Sequence, residues 1–194
     1  MAESKRYTTV AITLHWVIAI LILMMIFIGW QAEDLRDALF AGDPDVDIQT
    51  VALVYNWHKT WGLIILALSL ARLGWRLVHP APPLPGGMAP WERFAAKATH
   101  WGFYALMIGM PLGGWVTASA SGIPGFLFNV ESLPIPAIAP ESEGLHDATS
   151  RAHSAGAWAI LVLLALHIGA ALKHHFINRD DVLSRMIVFI RPKG

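Results

Sequence analysis

Four long apolar stretches, separated by polar or proline-rich segments, dominate the pattern of this 194-residue chain. They cover roughly residues 10–30, 51–78, 98–120 and 152–176. Each is long enough for a helix to cross a bilayer, which takes ~20 residues. The second is interrupted by charged side chains and gives a weaker signal alone. The pattern predicts one domain, 1–194: an all-α, integral membrane, up-down four-helix bundle.

The segments between these stretches differ in character. The first, about 31–50, is acidic, and the second, 79–90, is rich in proline and glycine. The third, about 121–150, mixes apolar residues with prolines and is expected to lie at the membrane interface. His79 and His146 fall in these predicted loops. The basic, apolar tail 185–194 is expected on the inner membrane surface.

The first stretch follows Lys5 and Arg6, as the apolar region of a secretory signal peptide would. It is longer than the ~7–15 residues of such a region. It also carries His15, so we interpret it as a retained helix.

Composition supports a membrane protein and limits its chemistry. The chain is 55% hydrophobic and 14% charged, far from the balance of a soluble domain, so membrane lipid is an expected partner. It shows no nucleic-acid-binding motif. It contains no cysteine, which excludes disulfides, thiolate-bound zinc, iron–sulfur clusters held by the chain and covalent haem. Any metal must be bound by histidine, methionine or carboxylate.

Charge predicts the orientation of the bundle. With the N-terminus inside, only three of the 14 lysines and arginines fall outside: Arg36, Lys59 and Arg151. Basic residues accumulate on the cytoplasmic side of membrane proteins. We therefore expect both termini in the cytoplasm.

Four histidines are expected at two depths within the bundle. His153 and His167 are fourteen residues apart, close to four helical turns, so they share a face and lie roughly 21 Å apart. Chain direction places His58 near the outer surface, level with His153. It places His15 near the inner surface, level with His167.

Such level pairs suit two haems, each held by two axial histidines. Without cysteine these would be b-type haems, bound by axial bonds and packing. One alternative is that single histidines bond backbone carbonyls as ordinary core residues. Zinc or copper is another, but both prefer more ligands close together.

Three further residues are candidates near the inner side. Arg72 lies one turn before Arg76 and is a candidate partner of a haem propionate, although arginines at helix ends also extend to the interface. His100 lies near the inner start of the third stretch. His174 follows His167 by two turns. Histidines at such positions also anchor helix ends at the membrane interface.

Several motifs resemble the bacterial cytochrome b561 family over nearly the whole chain. They are H-W at His15, W-H-K-T-W-G around His58, A-R-L-G-W-R from Ala71, and the His153–His167 spacing followed by A-L-K-H-H-F. The resemblance implies a four-helix inner-membrane cytochrome with two b haems and ubiquinone as acceptor. It implies oxidation of periplasmic superoxide to oxygen. His174 matches a histidine near the family's quinone site, so the resemblance makes His174 and His100 candidates for a quinone site; the alternative is that both anchor the helix ends.

Lys59 and Arg151 are the expected catalytic residues at the donor side. Each neighbours a predicted haem ligand, and both are cations on an acidic outer surface, where they would attract superoxide. The alternative is a cytochrome b subunit that anchors a hydrogenase or dehydrogenase, as related di-haem proteins do. A haem-free structural or sensory membrane protein is a third class.

Overall fold

The computed structural model describes residues 6–187, 189 and 190. Over that part the chain is helical, with no strand beyond one isolated bridge, and the predicted all-α four-helix bundle is confirmed. The long helices are α1 Thr9–Phe40, α2 Ile48–Val78, α3 Pro90–Ala120 and α4 Glu143–Lys173. Two 3₁₀ turns, Leu127–Asn129 and Leu183–Arg185, and a π turn, His174–Asn178, complete the elements.

Polar residues immediately before the apolar stretches begin three of the four helices. Thr8, Asp47 and Ser142 each accept a hydrogen bond from a backbone N–H in the first turn of α1, α2 and α4. These caps satisfy donors that have no partner within the helix. The bonds from Thr50 lower the pKa of Asp47. Pro90 begins α3, where its missing N–H costs nothing.

The helices extend beyond the predicted stretches, so the predicted outer loops were too long. α1 continues to Phe40 and leaves only residues 41–47 before α2. α4 begins at Glu143, so the second outer connection ends at residue 142 and His146 lies in a helix rather than a loop. Hydropathy marks the part of a helix inside the bilayer, and it gives no signal where a helix continues into water.

The helices pack as neighbours in sequence: α1 against α2, α2 against α3, and α3 against α4. Ile18, Tyr104 and Met107 form a small buried cluster. Many large apolar side chains instead face outward, among them Ile20, Phe27, Phe94, Trp158 and Leu166. All four helices are long and apolar enough to span a membrane. The chain is a multi-pass membrane protein whose apolar surface faces lipid.

Residues 121–142 form a folded outer cap over the end of the bundle. Asn56 on α2 accepts a hydrogen bond from the Phe126 backbone at 3.1 Å, and Thr60 accepts one from the Phe128 backbone at 3.0 Å. From α3, the Trp115 indole donates to a carbonyl of the cap. The expected interfacial segment is thus fixed to the helices through their polar side chains.

Part of the C-terminal tail lies across the opposite end, where the described chain begins at residue 6 and ends at residue 190, and which we call the inner end. The Trp16 indole donates to the Met186 carbonyl at 2.9 Å, and the Arg6 guanidinium donates to the Ile190 carbonyl at 2.8 Å. These bonds tie the tail to the start of α1. The rest of the predicted surface tail, residues 188 and 191–194, lies outside the described residues.

Candidate haem-binding site

The structure brings the four central histidines together as two facing pairs. His58 of α2 faces His153 of α4, with ring centroids 6.0 Å apart and planes inclined at 67°. His15 of α1 faces His167 of α4, with centroids 6.1 Å apart and planes inclined at 60°. α4 contributes one histidine to each pair because fourteen residues return a helix to nearly the same face.

The spacing within each pair fits one metal ion between the rings. Imidazole nitrogens bind metals at about 2 Å, so two axial nitrogens stand about 4 Å apart. The centroid of each imidazole ring lies about 1 Å farther from the metal than the nitrogen that binds it. The expected separation of centroids is therefore about 6 Å, close to both observed values.

Unsatisfied nitrogens support the same interpretation. The Nδ1 atoms of His15 and His58, one in each facing pair, are buried without a hydrogen-bond partner. Buried polar atoms are nearly always bonded, and an exception requires an explanation. These two unbonded nitrogens are unusual for ordinary core histidines, and they fit imidazoles whose orientation is set by a bound group.

The donor set favours haem over a bare metal ion. No group of three or more histidines, cysteines or carboxylates close enough to bind a metal occurs in the described part of the chain. Zinc needs about four protein or water ligands. Haem iron already has four equatorial nitrogens and takes two axial ligands, which one histidine pair supplies.

Glycines on neighbouring helices give the outer pair its room. A Cβ added to Gly114 on α3 would lie 3.0 Å from Cε1 of His153. A Cβ added to Gly29 on α1 would lie 3.3 Å from Cε1 of His58. Each outer imidazole therefore packs directly on a helix backbone, where a larger residue would displace the ring.

Aromatic rings and an arginine surround the inner pair. His100 and Phe103 of α3 lie against His167, with ring centroids 5.6 and 5.5 Å away. The structure therefore places His100 beside the inner pair. The Arg72 guanidinium stacks over the Tyr104 ring at 5.8 Å and has no carboxylate partner among the described residues. It also lines a cavity of about 20 Å³ at the inner end.

His174 lies at the inner end, away from these rings. It begins the π turn after α4 and is only 6% exposed. Its Nδ1 is 2.5 Å from Oδ2 of Asp180 and 3.2 Å from the Asn178 amide nitrogen. Single π turns inside helices are often found at functional sites.

The two expected donor-side cations have different environments. Lys59 lies beneath the outer cap and lines a cavity of about 330 Å³ between α2, α3 and the cap. Glu141 lines the same cavity. Arg151 is exposed on α4, and no contact joins it to Lys59 in the described residues.

Sequence reasoning missed Asn56, Thr60 and Asp180. Asn56 and Thr60 are one turn apart on α2 and are nearly or fully buried. Two uncharged polar residues at that spacing in an apolar helix indicate that another polar segment packs against this face, and here that segment is the outer cap. Asp180 gave no such signal, because only the fold of the tail brings it to His174.

The bundle has four membrane-spanning helices, and its facing histidines suit axial ligation of haem. These features define a membrane cytochrome of the b type. The sequence profile of the family described as prokaryotic cytochrome b561 matches residues 6–188. The chain belongs to this family, as its motifs indicate. It is therefore an oxidoreductase that binds haem b and transfers electrons in a membrane.

Three relatives align over nearly their whole lengths. Cytochrome b561 homolog 2 of Escherichia coli K12 is 30% identical, over 94% of this chain and 92% of its own. Probable superoxide oxidase CybB of Yersinia pestis is 28% identical, over 94% and 96%. Cytochrome b562 of Cereibacter sphaeroides is 28% identical over all of both chains.

Proposed function

We propose that this protein passes electrons from superoxide at the periplasmic face, through two b haems, to ubiquinone. The observation that carries the proposal is the presence of two facing histidine pairs at two levels of one bundle, with centroids 6.0 and 6.1 Å apart. A relative named as a probable superoxide oxidase supports the choice of donor.

His58 and His153 would hold the outer haem, and His15 and His167 the inner one. Two haems bound there would carry single electrons across the apolar core. The four imidazoles would fix the positions of both haems. Arg72, which has no carboxylate partner in the described chain, is placed to pair with a propionate of the inner haem.

Lys59 and Arg151 would attract the donor at the outer end. Superoxide is a small anion, and cations near a cleft raise the local concentration of anions. Lys59 is the better placed, because it lines the cavity under the outer cap and follows His58 directly in sequence. Arg151 adds an exposed positive charge two residues before His153.

His174 and His100 would serve the quinone at the inner end. Reducing a quinone to a hydroquinone consumes two protons, so its site needs groups that hold or transfer protons. His100 adjoins the inner pair and His174 lies two turns beyond it. The inner end would face the cytoplasm, because 11 of the 14 lysines and arginines are assigned to that side.

Stopped-flow reduction of the haems by superoxide tests the donor. We expect fast reduction of the purified protein, slowed by K59Q/R151Q and by salt, because steering is screened beyond ~10 Å at 0.1 M. R36Q is the matched control, since Arg36 is an outer cation already paired with Asp37 at 2.7 Å.

Each outcome of that experiment has a distinct meaning. Fast haem reduction at a rate that neither the double substitution nor salt changes would contradict the proposed entry site. No reduction by superoxide would contradict the donor. It would favour the alternative of an anchor subunit, which co-purification with a dehydrogenase or hydrogenase would then establish.

A further inference from the structure

A buried histidine–carboxylate pair occupies the inner end of the bundle. Oδ2 of Asp180 lies 2.5 Å from Nδ1 of His174, and the two side chains are only 20% and 8% exposed. The Asn178 amide nitrogen lies 3.2 Å from the same Nδ1. Among the described residues, Asp180 and Asn178 thus both contact the His174 ring at Nδ1.

The fold of the tail holds the carboxylate in place. The backbone leaves the π turn through Arg179, which has a left-handed conformation with φ of 55°. This turn lets the Asp180 backbone N–H donate to the His174 carbonyl at 3.2 Å. Oδ1 of Asp180 accepts from the Val182 N–H at 3.1 Å, which leaves Oδ2 for the imidazole.

The other carboxylates near His174 are held by basic side chains. Glu92 of α3 lies within electrostatic reach of His174 but pairs with Lys173 of α4. Asp181 and Arg185 pair within the tail at 2.8 Å, and Arg185 also donates to the Pro83 carbonyl of the α2–α3 connection. Among the described residues, Asp180 is therefore the carboxylate that bonds to His174.

A carboxylate at Nδ1 fixes the orientation of the imidazole, because it accepts the Nδ1–H bond. The other ring nitrogen, Nε2, is then directed away from Asp180. When Nε2 carries a proton, it can donate that proton to a carbonyl oxygen. After Nε2 gives up its proton, the neutral ring keeps the Nδ1–H bond to Asp180.

We propose that Asp180 is a positioning residue that holds His174 as the proton donor to the quinone. This inference rests on the proposed function, in which two superoxide ions each lose one electron and become oxygen. The quinone gains two electrons and two protons and becomes the hydroquinone. His174 supplies one proton from Nε2 to a quinone oxygen, cytoplasmic water supplies the other, and water then reprotonates Nε2.

The test follows haem re-oxidation by a short-chain ubiquinone analogue. The purified holoprotein is pre-reduced with one electron equivalent per haem and mixed with the analogue at increasing concentrations. We compare the wild type with D180N, D180E and D181N. D181N is the matched control, because it makes the same chemical change in a neighbouring buried carboxylate that contacts Arg185 instead.

We expect D180N to lower the limiting rate by about tenfold or more, part of the ~10²–10⁴-fold that assisted proton transfer contributes, because His174 remains present but is no longer held in position. The half-saturating concentration should change by less than about threefold, because the loss falls on the reaction step rather than on binding. D180E should recover part of the rate, D181N should match the wild type, and haem content should be equal in all four.

Three results would overturn the proposal. D180N as fast as the wild type would show that the carboxylate has no role. Equal slowing by D180N and D181N would show that only the fold of the tail matters. A wild type that is not re-oxidised by the analogue would remove ubiquinone as the acceptor, which is a failure of the proposed function rather than of the pair alone.

Discussion

At the residue scale, the space for the outer imidazoles depends on two glycines. His153 packs on Gly114 and His58 packs on Gly29, with no side chain between ring and backbone. A Cβ added to Gly114 would lie 3.0 Å from Cε1 of His153, whereas one added to Gly29 would lie 3.3 Å from Cε1 of His58. A contact of 3.0 Å forces the ring or the helix to shift, whereas 3.3 Å needs a smaller adjustment.

We therefore expect G114A to disturb the outer haem more than G29A does. Pushing the His153 ring off its rotamer costs about 0.5–1.5 kcal/mol and tilts the axial ligand. Electron paramagnetic resonance of the oxidised protein should show one of two low-spin signals shifted or lost.

G113A is the control for this substitution. It adds the same methyl group one residue earlier on α3, where a Cβ meets nothing within 4 Å. A spectrum of G114A identical to that of G113A would contradict the assignment of His153 as a ligand held against α3.

At the element scale, the outer cap depends on two polar residues of α2. Asn56 accepts from the Phe126 N–H and donates to the Asn129 side chain at 3.0 Å. Thr60 is fully buried and accepts from the Phe128 N–H. Both Phe128 and Asn129 have positive φ, 54° and 58°, so the cap holds a strained turn that these bonds compensate.

Asn56→Ala should loosen the cap. Removing one partner of a buried hydrogen bond costs about 1–3 kcal/mol, and here it leaves the Phe126 N–H unsatisfied. We expect limited proteolysis between residues 121 and 142 to become faster, by about fivefold to 150-fold for that range of energies. Gln49→Ala removes an exposed amide from the start of the same helix and should leave the cleavage rate unchanged.

The contact between α3 and α4 is equally specific. A Cβ added to Gly156 would lie 2.1 Å from Sδ of Met110, whereas one added to Gly169 meets nothing within 4 Å. Overpacking a close contact costs about 1–3 kcal/mol, although methionine is flexible. Thermal unfolding in detergent should show G156A below the wild type and G169A at or slightly above it, since alanine favours a helix. Equal stability of the two variants would contradict the contact.

The sequence predicted the elements that depend on helix periodicity, and it failed where distant segments meet. The histidine pairs followed from the His153–His167 spacing and from chain direction. In a helix that crosses a membrane, these two features largely determine the depth and the face at which each side chain lies. The cap on Asn56 and the Asp180–His174 pair depend on how connections fold back, which no periodicity encodes. The extension of α1 to Phe40 was missed because hydropathy records the bilayer rather than the helix.

At the scale of the whole molecule, orientation decides which end meets which substrate. The inner end carries the first and last described residues and the His174–Asp180 pair, and the outer end carries the cap and Lys59. Of the 14 lysines and arginines, 11 are assigned to the inner side. That excess predicts that the inner end faces the cytoplasm.

A reporter fused to the C-terminus tests this orientation. Alkaline phosphatase, which is active only in the periplasm, should be inactive there, and a cytoplasmic fluorescent reporter should be bright. The same reporters inserted in the connection 41–47 should give the opposite result. An active C-terminal phosphatase would reverse the proposed direction of electron transfer.

The central claim is that two histidine pairs hold two b haems, and the pyridine haemochrome assay tests it most directly. We predict two haems per chain in the intact protein. H58A or H153A should lose the outer haem alone, and H15A or H167A the inner one alone, each leaving one. One haem or none in the intact protein, or a single substitution that removes both from a folded chain, would contradict the account.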